Sequence, residues 1–235
     1  MVKLVLTEDE TMLADAARGF LDKSAPVKAF RDLRDAGKTH DDKMWKEMAA
    51  MGWAGVLVPE SAGGSDMGHA AAGVLAHEMG KTLVVSPFLS TAVIAATALR
   101  HVSDARAEAA LAKIASGEAT YALAVDETSK FNPDATAMIA TSEGNGFRLT
   151  GKKTFVVDGA LADRLLVVAK TDNGLTLFDI PADRVGVTRT AQNMIDARDS
   201  ARIDFDNVEA TGDDVLGQVD SAMTVLKPAI EAGQA

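Results

Sequence analysis

Apolar positions recur at helical spacing over the first half of the chain and at strand spacing over most of the second. Behind "TEDE", Thr7–Glu10, the residues Met12, Leu13, Ala16, Ala17, Phe20 and Leu21 fall on one face of a helix. Thr7 and Glu10 have the spacing of a capping box, each side chain able to bond the other's backbone N–H. A second helix is expected over about 41–51, capped by Asp41 or Asp42, with Met44, Trp45, Met48 and Met51 on its apolar face and Gly52 as its stop. Further helices are expected over about 68–83, over 87–101 starting at Pro87, and over 103–117 from Ser103 to Gly117. Between the second and third lies "GWAGVLVPESAGG", residues 52–64, whose apolar run reads as a buried strand or the end of a core helix.

Near residue 118 the period changes. "TYALAVDE", "ATAMIATSE", "GFRLTGKKTFVVD", "DRLLVVAKT", "LTLFDI", "VGVTRT" and "SARIDFDNV" are short β-rich runs separated by turn residues, the layout of a barrel or sandwich. Asn173-Gly174 between two of them is the signal for a type I′ hairpin turn. Residues from about 218 to 232 turn helical again. The expected fold is α+β: an N-terminal helical domain over 1–117, a β-barrel-like domain over 118–216, and the first helix of a further helical unit over 217–235.

The 235 residues suffice for one large or two smaller cores, and 47% hydrophobic with 25% charged residues is an ordinary globular composition. A net charge of −10 speaks against nucleic acid or an anionic membrane surface as partner. With no cysteine, a disulfide framework, a thiolate nucleophile and a Cys-ligated metal are excluded. "MVKLVLTEDE" turns acidic too soon for a signal peptide and no apolar run reaches membrane length, so a cytoplasmic protein without membrane insertion is expected.

Four motif-like stretches read more simply as structure. "GFRLTGKK", Gly146–Lys153, has P-loop spacing, but Lys153 stands where a Mg²⁺-binding Ser or Thr is needed and a strand follows; it reads as a β-turn with exposed lysines. "GNG", 144–146, sits between strands and lacks a third glycine. "HEMGK", 77–81, begins like a zinc-protease helix, but Lys81 replaces the second histidine, and His40, His69, His77 and His101 show no ligand spacing. Asp126-Glu127 reads as a solvated strand end rather than a catalytic pair. In "KKTFVVDGALAD", 152–163, Phe155 with Val156 and Val157 reads either as a core strand or as a flat apolar wall for a planar ligand.

Together these stretches resemble the acyl-CoA dehydrogenase family of flavoproteins. "GWAGVLVPESAGG" is similar to that family's G-[WYF]-x-G-x-x-[VI]-P-E-x-x-G-G signature. "GFRLTGKKTFVVDGALADRLLVVAKT", 146–171, is similar to G-[YF]-x-[LI]-[NT]-G-x-K-x-[WF]-[IV]-[TS]-N-[GA]-x-x-A-[DE] and the strand after it. "SARIDFDNVEATGDDVLG" resembles a later family stretch, and "ALAVDE" stands where the family has A-x-T-E. The resemblance implies α,β-desaturation of an acyl-CoA, with FAD as cofactor, an electron-transfer flavoprotein as acceptor, and a homo- or hetero-oligomer. It implies a flavin wall of Leu123, Val125 and Asp126 on one strand and Phe155, Val156 and Val157 on another. Asp126 replaces the family Thr that bonds the ring, and Val157 replaces a Ser/Thr, keeping only its backbone N–H. "DETSKFNPD" replaces the Gly-Ser turn that cradles the pyrophosphate, with Ser129 as a partial substitute.

In the family the catalytic glutamate lies in a C-terminal four-helix bundle, so the resemblance implies no catalytic residue within these 235 residues. The last segment, with Val219, Ala222, Met223, Val225, Leu226 and Ile230, is expected to expose an apolar face that bundle partners would cover. Three readings follow: part of an acyl-CoA dehydrogenase, a non-catalytic subunit of a heteromeric one, or an unrelated binding module with a similar layout.

Overall fold

The structure is a computed structural model and describes residues 5–235; the first four residues of the N-terminal stretch discussed above lie outside it. Among the described residues the helices are α1 (Glu8–Ser24), α2 (Val27–Asp35), α3 (Asp42–Ala50), α4 (Gly68–Thr82), a π-helical segment (Phe88–Ala95) running into α5 (Ala96–Arg100), α6 (Ala105–Ala115) and α7 (Met223–Gln234). The Thr7–Glu10 capping box forms as read, with both reciprocal bonds in place. Asp41 caps α3 and Asp104, rather than Ser103, caps α6. Gly52 and Gly117 follow α3 and α6 at positive φ. A Cβ on Gly117 would stand 2.5 Å from that of Ala49, so the stop is also a close contact.

Two features of the helical part depart from the sequence reading. α2 is an additional helix, and none of its residues is fully buried. In α1 the buried face is Ala14, Ala17 and Leu21 with Leu13 and Phe20 half-buried, while Met12 and Ala16 are exposed. The alanines let α1 lie close against α4, and Arg18 of α1 reaches the buried Glu78 of α4, which also takes Lys81.

The apolar run of the 52–64 stretch forms neither strand nor helix. Successive turns bury Trp53, Ala54, Val56, Leu57 and Val58, and the returning chain bonds back from Ser65 to Gly55, Asp66 to Val58 and Met67 to Val56. Pro59 leads into a short 3₁₀ turn that Gly63 ends at φ 81°. A Cβ on Gly64 would fall 2.0 Å from the Val58 carbonyl oxygen. The double glycine is therefore a requirement of packing: one residue reverses the chain and the next lets it pass against the apolar run.

All seven expected strands form: β1 (Tyr121–Ala124), β2 (Ile139–Glu143), β3 (Gly146–Val157), β4 (Arg164–Lys170), β5 (Leu175–Pro181), β6 (Val187–Ala191) and β7 (Ser200–Thr211). They make one curled sheet, a half-barrel in the order β1-β4-β2-β3-β7-β6 with β5 on the other side of β4. Gly144 turns β2 into β3 at positive φ. The Asn173-Gly174 turn is not type I′, since neither residue has positive φ; the Thr171 hydroxyl accepts from the Gly174 N–H instead.

Two cores result. One fills the half-barrel with Ala122, Met138, Leu149, Leu165, Phe178, Ile203 and Phe205 among others. The other joins the helices to the opposite face of the sheet through Tyr121, Val125, Leu166, Val168 and Leu177. α7 belongs to this second core. Contrary to the exposed face expected of it, Ala222, Val225, Leu226 and Ala229 are buried, and the helix packs on the π-helical segment and α5. Val219, ahead of the helix, remains exposed.

Candidate functional site

The expected flavin wall lies where β1 and β3 meet. The Thr154 N–H donates to the Asp126 carbonyl at 2.7 Å and locks the end of β1 beside β3. Against β7, β3 carries a bulge between Lys153 and Val156: Thr154 and Phe155 together face a single residue, with Phe155 at φ 52°. Strict alternation would turn Phe155 inward with Lys153. The extra residue shifts the phase, so Phe155 and Val157 both face outward and Val156 packs in the half-barrel. The Phe155 N–H donates to Gln192 Oε1 at 3.1 Å, which fixes the bulge from the β6 side.

Of the six wall residues, four present side chains here. Phe155 and Val157 are 42% and 38% exposed, Leu123 is half-buried, and Asp126 is half-buried at the head of the loop. Val156 and Val125 are buried in the two cores and can lend only backbone. Ser129 is exposed on the 125–138 loop, where Thr128 and Lys130 bond each other. No residue from 127 to 135 has positive φ, so this loop is not an anion-binding nest.

Beneath the wall, "GKK" and "DE" depart from their reading in sequence. Lys152 is exposed, but Lys153 is fully buried inside β3 and is no part of a β-turn. Its Nζ donates to the Val125 carbonyl at 3.1 Å and to Glu127 Oε1 at 2.7 Å. Glu127 also accepts from the Ala137 and Met138 N–H groups at 2.8 and 3.0 Å. Burial works against the Glu127 carboxylate, but Lys153 and the two N–H groups together hold it below its ordinary range; burial likewise lowers the Lys153 ammonium against the pull of Glu127. The pair staples β1, β2 and β3 under the wall. The "GKK" glycine has its own reason: a Cβ on Gly151 would meet Met138 Cγ at 2.8 Å. The one signal in the sequence was phase: Lys153 alternates in step with the buried Leu149.

Asp126 stands apart from Glu127. Its Oδ1 is buried without a hydrogen-bond partner, and burial raises its carboxyl above the ordinary range against the lowering influence of Lys153. A buried carboxyl oxygen without a hydrogen-bond partner, next to two outward apolar side chains, fits the polar edge and flat face of an isoalloxazine ring. The 127–135 loop does not fit the pyrophosphate.

The edge of the site is clamped to the helices. Thr91 of the π-helical segment donates its hydroxyl to the Tyr121 carbonyl and accepts from the Tyr121 N–H at 2.9 Å. Ser90 donates to Asp158 Oδ2 at 2.6 Å. Asp158, at φ 58° in the turn after β3, and Asp199, just ahead of β7, are both buried, and burial pushes Asp158 up to about 6. No cluster of three or more His, Asp or Glu side chains that could hold a metal occurs among the described residues, and none of their helices is long and apolar enough to cross a membrane.

Comparison with known proteins finds relatives of this sequence and fold. Residues 7–118 match the family model "Acyl-CoA dehydrogenase, N-terminal domain". "Acyl-CoA dehydrogenase FadE27" of Mycobacterium tuberculosis is 31% identical over 162 residues, covering 68% of this chain and 42% of that protein. The steroid ACAD Tcur3481-Tcur3483, in its G363A variant, superposes with a TM-score of 0.83 at 27% identity, covering 97% of this chain and 62% of that one. The ChsE4-ChsE5 complex from Mycobacterium tuberculosis shares the fold with a TM-score of 0.87 at 24% identity, covering 99% and 64%. This chain thus spans less than two thirds of each of these proteins. From the glycine-gated 52–64 turn, the bulged wall strand and these matches, the chain belongs to the acyl-CoA dehydrogenase family.

Proposed function

We propose that this chain provides the helical and half-barrel parts of an FAD-dependent acyl-CoA dehydrogenase, the surface on which the flavin ring rests during α,β-desaturation of an acyl-CoA. The observation that carries this reading is the β3 bulge, which turns both Phe155 and Val157 outward beside Asp126. When bound, FAD would supply the two-electron acceptor for the β-hydride. The chain's own part is positioning. Phe155, Val157 and Leu123 offer an apolar face that keeps water from the ring. Asp126, whose Oδ1 is buried without a partner, places a polar group where the resemblance has a threonine. The base that removes the α-proton and the contacts to the pyrophosphate are assigned to residues outside these 235, as is docking of an electron-transfer flavoprotein.

A second reading, the non-catalytic subunit of a heteromeric dehydrogenase, is favoured by one observation: the Ser129 loop lacks the nest a pyrophosphate needs. A solved relative of this fold is itself named as a complex. The visible absorption spectrum of the purified chain, recorded before and after FAD and gel filtration, tests both. Flavin retained by the chain and released by Phe155→Ala supports the first reading. A colourless chain that acquires flavin only with a partner polypeptide supports the second, and a chain that binds no flavin under either condition overturns both.

A further inference from the structure

A cavity of about 530 Å³ lies between α2, α4 with the segment that follows it, and the loop from β6 to β7. None of its lining residues belongs to the flavin wall. Its surface is mainly apolar, formed by Phe30, Met79, Leu83, Phe88, Leu89 and Ile195. Leu83 and Ile195 stand open to solvent at its rim, 52% and 106% exposed. The volume falls in the range of small-molecule sites, about 300–1,000 Å³.

Two arginines also line it. Arg34 is already paired with Asp35. Arg198 is not: among the described residues no hydrogen bond or ion pair uses its side chain, and its Nε is buried with no partner. Its charge reaches Asp158, whose carboxyl it helps to lower, but the two form no ion pair. The other charged group on the lining, Asp196, is exposed and spends one carboxylate oxygen on the Arg198 backbone N–H at 3.2 Å. A buried guanidinium nitrogen without an acceptor is costly unless something else supplies one. In a chain of net charge −10, an unpaired arginine at the wall of an apolar cavity is a selective feature.

We propose that this cavity binds an amphipathic anion: an apolar chain lying against Phe30, Met79, Phe88 and Leu89, with its carboxylate or phosphate group on Arg198. The bidentate fork of arginine suits either anion. The inference stands on the cavity and Arg198 alone and does not require bound flavin.

Titration calorimetry on the flavin-free chain with dodecanoate, dodecyl phosphate and dodecanol tests it. Both anions should bind about ten- to a hundredfold more tightly than the alcohol, the worth of a charge-assisted hydrogen bond. The tighter of the two identifies the anion. Arg198→Gln should remove that advantage while leaving dodecanol binding unchanged. Ala76→Trp, on the exposed face of α4 at the cavity, should weaken all three, with circular dichroism showing the same fold. Equal binding of anions and alcohol, an advantage that survives in Arg198→Gln, or no binding of either anion overturns the proposal. A failure here leaves the flavin spectrum unaffected, so the two readings fail separately.

Discussion

The helical layer and the half-barrel are both well packed, but they treat charge differently. In the helices the core is Ala, Leu, Met and Trp, and charged side chains lie outside it, with Glu78 between Arg18 and Lys81 as the chief exception. In the half-barrel charge is built in. Lys153 and Glu127 pair under the wall, Arg164 and Asp179 pair between β4 and β5, and Arg184 and Asp214 pair beyond the end of β7, each at 2.7 Å. Asp158 and Asp199 are buried at the seam between the layers. The difference follows from geometry. A helix satisfies its own backbone and needs only an apolar stripe. A curled sheet that must hold loops at its end has carbonyls and N–H groups to tie down, and buried ions do so, as Lys153 does for Val125 and Glu127 for Ala137 and Met138.

If buried charge organises the half-barrel, removing one partner should hurt most there. Lys153→Ala leaves the half-buried Glu127 without its cation and should destabilise the chain by about 3 kcal/mol. Lys153→Met with Glu127→Gln should cost less than the single change. Urea denaturation of the three proteins measures both, and a loss of under about 1 kcal/mol for Lys153→Ala (the worth of an exposed pair) would show that the pair does not hold the wall.

The seam gives the next effect, with opposite sign. Asp158 is pushed from 3.8 to about 6, chiefly by burial. The folded chain therefore keeps a proton that the unfolded chain releases, and this residue's contribution to stability falls as pH rises from about 4 to about 6. Asp158→Asn retains an acceptor for Ser90 and matches the Asn of the family motif. Relative to the parent it should gain up to about 3 kcal/mol between pH 4 and pH 7, because a proton held tenfold more tightly by the folded chain is worth about 1.4 kcal/mol. Denaturation midpoints at the two pH values check this; a difference between the proteins that is the same at both would place the proton elsewhere.

The helical layer should respond least, because its end signals are local. Thr7→Ala removes the side-chain half of the capping box on α1 and should cost about 1 kcal/mol. Thermal unfolding with hydrogen exchange on the α1 amides would show fraying confined to the first turn. Global loss comparable to that of Lys153→Ala would erase the contrast between the two layers.

Helix ends were readable from the sequence because caps and glycine stops are chemistry of adjacent residues. Thr7, Asp41, Gly52 and Gly117 act where they were expected. Strand positions were readable from alternation for the same reason. Phe155 to Val157 stand out in the sequence as one apolar run, but only the bulge decides that Phe155 and Val157 face outward while Val156, like Val125, turns into a core. α2 escaped notice because Val27, Phe30 and Leu33, set among charged neighbours over nine residues, make too short a stripe to stand out.

What the sequence by itself determined is therefore the local part: an α+β order of elements, their caps and turns, and the family to which they belong. What only the tertiary structure decided is where the polar residues go. A lysine at 153 is a solvated charge until a bulge and the neighbouring strands close over it. An arginine at 198 is ordinary until the fold leaves its Nε without an acceptor at the wall of a cavity. α7 reads as an orphan helix until its apolar face meets the π-helical segment. Burial is a property of residues brought together from distant parts of the chain, and desolvation, which sets the cost of a buried charge and the value of its partner, exists only once they have met.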